Sequence, residues 1–307
     1  MRRSSSHRLL PIVIALLAGA FSCLGWGCGA GDTPVSDVTL TVASKNTAEE
    51  IVLGEIYAQA LEAAGYKVKR ELNLPIGLPP FDRKEIHISG YPEHLNIALG
   101  DITLYKHGAP GNPMKAYELA KERLEERGLT AFPPTPFSRS KAVGMLRRTA
   151  EERGLKSLSD LKPQADEISL ATQNSCQRFA DCLAGLERLY GITFGSISET
   201  EPAQRYEVLK DGEAETAILL STEGQLAGKK SRFVILEDDK HRLPAGNVIW
   251  VTTPDVVDEA GPEYEKAILD AQRGLTLKVV QELDKKVMLE GRQPSKVAAE
   301  YLRHFSN

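Results

Sequence analysis

The chain has 307 residues, 42% hydrophobic and 26% charged, an ordinary globular composition with room for about two domains. Its formal charge is −4, and no basic patch or basic helix stands out, which sets nucleic-acid binding aside. Removing Arg2, Arg3 and Arg8 with the first 27 residues takes the formal charge from −4 to about −7.

The N-terminus reads as a targeting segment. Arg2, Arg3 and Arg8 precede an apolar run from Leu9 to Leu24, too short and too near the start to read first as a membrane span. The run ends in small residues around Cys23 and Cys28. A cysteine there suggests bacterial lipoprotein processing, with Cys28 favoured for its flanking glycines and plain signal-peptidase cleavage as the alternative. Residues 1–28 are then the signal peptide and 29–37 a tether.

Val38 to Ala43 alternates β-branched and small residues and predicts a strand. Thr47 stands three residues before Glu50, at the head of an apolar-periodic run, which predicts a capped helix start. Ile51, Leu53, Ile56, Tyr57, Ala60, Leu61 and Ala64 form its apolar stripe, Gly65 ends it, and Lys67 to Leu72 predicts a second strand. A ligand of such a β-α-β unit sits beyond the first strand, at the helix N-terminus, where Lys45, Asn46 and Thr47 stand. Residues 73–81 are a Pro/Gly-rich loop. Further strands are expected at 85–88, 129–132, 140–146, 167–172, 215–220 and 248–251. Helices are expected at 113–128, 149–154, 183–191, 260–274, 276–289 and 294–304.

The motifs, taken in order, resemble the substrate-binding proteins of glycine betaine/choline (osmoprotectant) ABC importers. They are Ser44-Lys45-Asn46-x-x-Glu49, Gly65-Tyr66-Lys67-Val68-x-Arg70, Tyr91-Pro92-Glu93, Pro134-x-Pro136-Phe137, Ser221-Thr222-Glu223-Gly224, Leu236-Glu237-Asp238-Asp239 and the 290–298 segment. The resemblance spans about 38 to 304. It implies an α/β, two-lobe periplasmic-binding-protein fold of type II, with two crossovers and the ligand in the interlobe cleft. Lobe 1 would be 38–137 plus 246–307, and lobe 2 would be 138–245. It also implies an extracytoplasmic, lipid-anchored monomer that delivers a solute to a permease and its ATPase. A sensor or degenerate member that binds a protein partner is the alternative.

In the betaine- and choline-binding members a cage of tyrosines takes the quaternary ammonium, because ring faces attract a cation that has no hydrogen to donate. The matching positions here are His94, Lys141, Leu220 and Gly246, so none but His94 is aromatic. Lys45 and Arg178 match residues that hold a carboxylate. The expected ligand is therefore an anionic or zwitterionic solute held by Lys45, Arg178 and Lys141. Neutral contacts are expected from Tyr91, Asn247, Ser221 and Thr222.

Cys176 and Cys182 read, in an exported chain, as a disulfide closing a short loop, with a metal site as the rival. His87, His94, His107, His241 and His304 match no compact metal-ligand spacing. Gly-x-Ser-x-Gly, His-Glu-x-x-His and phosphate-loop patterns are missing from the sequence, so no enzyme activity and no cofactor is expected.

Overall fold

A computed structural model describes residues 37–305 apart from residue 78. The expected signal peptide, Cys23, Cys28 and nearly all of the tether lie outside the described residues. Strand β1 (Thr39–Lys45) runs parallel to β2 (Lys67–Leu74), and helix α1 (Ala48–Ala63) connects them. The Thr47 side chain accepts the Glu50 N–H, and Gly65 turns the chain out of the helix at φ 93°. The expected β-α-β unit is therefore present, built from local signals.

Strand β3 (Gly90–His94) enters the same sheet, where the sequence reading expected a strand at 85–88. The reason lies in the partner strand. The chain meets β1 only at Ser89, whose N–H reaches the Thr41 carbonyl at 2.9 Å and whose hydroxyl accepts the Thr41 N–H. Pro92 is tolerated in this central strand because β3 pairs with β1 only at Val42–Gly90. Gly90 is dictated by packing: a Cβ there would lie 2.5 Å from the Trp250 ring. Helix α2 (Pro113–Glu125) leads to β4 (Thr130–Phe132).

The chain then crosses over. Strand β5 (Lys141–Leu146), helix α3 (Arg147–Arg153), β6 (Ser169–Thr172), β7 (Ser196–Glu199), helix α4 (Arg205–Asp211), β8 (Thr216–Leu220) and β9 (Phe233–Ile235) build a second sheet. The edge strand β7 and helix α4 were not expected; β7 is solvent-exposed along its length and carries no burial pattern. The expected helix 183–191 is a short turn, Leu183–Gly185, running into a wider one, Leu186–Tyr190. After the second crossover, β10 (Val248–Thr252) returns to the first sheet. Helices α5 (Pro254–Ala260), α6 (Pro262–Gln272), α7 (Leu277–Met288) and α8 (Pro294–Phe305) finish the chain.

The sheet orders are β2-β1-β3-β10-β4 and β7-β6-β8-β5-β9. In each, the strand that follows a crossover (β10, β5) lies antiparallel to both neighbours. Each sheet has its own apolar clusters. In the first, Trp250 stacks obliquely on Tyr57 at 4.9 Å and donates its ring N–H to the Tyr264 hydroxyl at 2.8 Å. In the second, a disulfide joins Cys176 to Cys182 inside the core.

The two crossovers run side by side. Ser138 and Asn247 form an antiparallel bridge, Arg139 N–H donates to the Gly246 carbonyl at 3.0 Å, and Gly246 N–H donates to the Ser138 hydroxyl at 2.9 Å. A Cβ on Gly246 would lie 1.9 Å from the Arg139 carbonyl oxygen, so this position has no room for any side chain.

Candidate functional site

The carboxyl end of β1, the start of α1, the end of β3 and the first crossover converge. Lys45 leaves β1 8% exposed, with its ammonium 2.6 and 2.7 Å from the two carboxylate oxygens of Glu93, which is 1% exposed on β3. Burial pushes Glu93 up to about 7, and the nearby Lys45 charge only partly offsets this. Glu49 and Glu50, on the first turn of α1, point inward. Thr-x-x-Glu reads in the sequence as a capping pair, but only the threonine half caps. The Glu50 carboxylate, 3% exposed as a residue, lines a cavity instead. Burial raises the pKa of both glutamates; Arg139 and the Thr222 hydroxyl counteract this for Glu49, and Lys45 and Arg139 for Glu50.

His94 closes the cluster. It is 2% exposed, and its Nδ1 lies 3.2 Å from the Gly246 carbonyl, which makes Nδ1 the protonated nitrogen. Its Nε2 then presents a lone pair 3.5 Å from Glu49 and 3.7 Å from Glu50. Burial, then the Arg139 charge, drives its pKa well below the usual histidine range, so the ring is neutral. Arg139, on the crossover, brings its guanidinium 3.8 Å from Glu49.

Two cavities flank this cluster and share Thr47 and Arg139. One, about 270 Å³, is lined by Lys45, Glu50, Glu93 and Asp101 and capped by Ile76, Pro79 and Ile102. The other, about 630 Å³, lies between the two sheets. Asn46, Glu49, Asp284 and Met288 line it from one side, and Arg205, Tyr206, Leu220, Thr222 and Glu223 from the other. Six carboxylates and three cations line the two cavities, so the formal balance is negative. Thr222 spans the gap and donates its hydroxyl hydrogen to Glu49.

Of the residues expected from sequence, Lys45, Asn46, Thr47, His94 and Thr222 meet here. Tyr91 is fully buried beside Glu93 and Glu50, and burial with their charges holds its pKa well above the usual phenol range. Ser221 is turned into the hinge: its hydroxyl accepts the Ser140 N–H and donates to the Ser138 carbonyl. Asn247 donates its side-chain amide to Thr135. Lys141 pairs with Asp181 at 2.8 Å and lies over the Phe179 ring. Arg178 ends a short exposed turn, Asn174–Arg178, and lines neither cavity. The structure thus corrects the expected trio of free cations. Lys45 and Lys141 are each neutralised by a carboxylate, and Arg178 faces solvent. The residues missed by sequence reasoning are Glu49, Glu50, Glu93 and Arg139. Only the adjacency of Glu49 and Glu50 to Lys45 hinted at them.

Residues 38–304 match the family model described as the substrate binding domain of the ABC-type glycine betaine transport system. The chain belongs to this family. Its members are transport proteins that bind a solute. A glycine-betaine-binding protein of Pseudomonas aeruginosa is 28% identical, the match covering 86% of this chain and 87% of that one. The glycine betaine-binding protein YehZ of Escherichia coli is 25% identical, over 85% and 89%. An ergothioneine transport permease/binding protein of Helicobacter pylori is 22% identical, over 88% of this chain and 48% of its own length. Among solved structures, a glycine betaine/carnitine/choline ABC transporter protein superposes with a TM-score of 0.75 at 20% identity, covering 87% of this chain and 100% of that one. Apo YehZ superposes with a TM-score of 0.73 at 24% identity, over 87% and 98%. These likenesses establish the type II two-lobe binding-protein fold. Among the described residues no helix is long and apolar enough to cross a membrane.

Proposed function

We propose that this chain captures a small zwitterionic solute in the cleft between its lobes, outside the cytoplasm, and passes it to an ABC permease driven by its ATPase. Lobe 1 comprises 38–137 and 246–307, lobe 2 comprises 138–245, and a lipid on Cys28 tethers a monomer to the membrane. The observation that carries this reading is the convergence of Lys45, Glu49, Glu50, Glu93 and Arg139 on cavities beside the paired crossovers, with His94 beside the two α1 glutamates. Burying so many charges is unfavourable for folding alone, which favours a binding role over a purely structural one. Relatives named for glycine betaine, carnitine and ergothioneine binding support small zwitterions as the candidates to try first.

A thermal-shift screen of betaines, carnitine, ergothioneine, amino acids and dicarboxylates tests the reading. A bound solute at a hundred times its dissociation constant adds about 2.7 kcal/mol, a visible rise in melting temperature. Silence across the whole library would sink solute capture. Mass spectrometry of the processed N-terminus tests the anchor: an unmodified Cys28 would remove it.

A further inference from the structure

The described cluster is short of hydrogen-bond donors. One oxygen of Glu49 (Oε1), one of Glu50 (Oε2) and Nε2 of His94 are each buried without a hydrogen-bond partner. With Nδ1 committed to the Gly246 carbonyl, Nε2 can only accept. Nε2 faces Glu49 Oε1 at 3.5 Å and the other Glu50 oxygen, Oε1, at 3.7 Å; Glu50 lines the cavity of about 270 Å³ and Glu49 the larger one. Buried acceptors left this way are costly, and a bound group that supplies N–H bonds removes the cost. The neighbouring cations do not fill the gap. Lys45 is held by both oxygens of Glu93, and Arg139 approaches Glu49 no closer than 3.8 Å on the side away from the Oε1 facing His94.

The same geometry lacks what a quaternary ammonium needs. Among the described residues no aromatic side chain lines the smaller cavity, and the larger has only Tyr206, whose hydroxyl is bonded to Glu223. A trimethylammonium head would bring charge but no hydrogen-bond donor to Glu49 and Glu50.

We infer that the solute's cationic end carries N–H bonds: a protonated amine, amidine or guanidine, bonded by Glu49 and Glu50 from the cavities they line, with Arg139 facing its carboxylate. This rests on the solute-capture reading above and narrows it to a substrate class. The raised carboxyl pKa values agree: burial disfavours the charge on Glu49 and Glu50, and a cation beside them offsets that.

The test is calorimetry on the full-length chain with probes that differ in the N–H bonds of their cationic head. One set runs from glycine through N-methyl- and N,N-dimethylglycine to glycine betaine. A second pairs 4-aminobutyrate and 4-guanidinobutyrate with the trimethylated 4-aminobutyrate. Affinity should drop at least tenfold when the last N–H is lost, and Glu50→Gln should erase that preference with little change in melting temperature. Tightest binding of the trimethylated members would overturn this inference and leave solute capture standing. Binding by no member of either set would overturn both.

Discussion

The two walls of the cleft handle charge in opposite ways. In lobe 1, Lys45, Glu49, Glu50, Glu93 and His94 lie on a strand end, a helix start and a neighbouring strand, and all are buried but Glu49, which is partly so. In lobe 2, Lys141 and Asp181 form a pair about a quarter exposed, and Arg178 lies in solvent. Buried charges interact strongly and are costly when one partner is missing, whereas exposed pairs are screened and contribute little. Under the proposed function, the chemistry that selects a solute therefore lies in lobe 1, and lobe 2 contributes Thr222 and a lining surface.

The sharpest way to break this contrast is Lys45→Met. It strands Glu93 without its counter-charge and should cost about 3–5 kcal/mol at pH 8, read by denaturant unfolding. The pH dependence has a definite sign. A carboxyl whose folded pKa is raised stabilises the fold fully below its unfolded value near 4.5, and loses that contribution as pH rises through the folded value, about 7 for Glu93 in the native chain. The penalty should thus shrink at pH 5, where Glu93 takes up a proton, and Lys45→Met with Glu93→Gln should recover most of the loss at pH 8. An equal penalty at both pH values would show that Lys45 acts through packing alone.

In lobe 2 the largest effect should come from the covalent link. Replacing Cys176 and Cys182 by serine frees a loop of sequence separation 6 and should cost about 2 kcal/mol, with solute affinity unchanged. A coupled loss of affinity would give lobe 2 a larger part in binding than its charges indicate.

Affinity for an amine probe should rise from pH 5 to pH 8, by about tenfold or more. Binding requires Glu49, Glu50 and Glu93 ionised, and His94 stays neutral. Affinity that fell over this range would reverse the sign assigned to the cluster. The smallest effects belong to the lobe 2 cations. Lys141→Ala should cost under about 1 kcal/mol, and Arg178→Ala should leave both melting temperature and solute affinity as they were. Loss of binding in Arg178→Ala would restore it to the cleft and erase the contrast between the walls.

Much of the fold could be read along the chain. Thr47, the apolar stripe of α1 and Gly65 are local signals, and they produced the β-α-β unit at nearly the residues expected. The ordered motifs from Ser44 to Ala298 carried the family, which the match over 38–304 established. Strand β3 was displaced because its place depends on Ser89 meeting Thr41, a contact 48 residues apart in the chain. The site was legible only in part, for the same reason. Lys45 and His94 were visible as candidates, but a sequence does not say which carboxylate neutralises which cation. Glu93 reaches Lys45, and Arg139 reaches Glu49, only after the strands align and the crossovers pair. The sequence by itself determined the elements and their family, because cap, periodicity and turn are short-range physics. Only the tertiary structure decided that Lys45 is already paired and that Glu49, Glu50 and His94 are left facing one another, because burial and Coulomb interactions depend on distance in space.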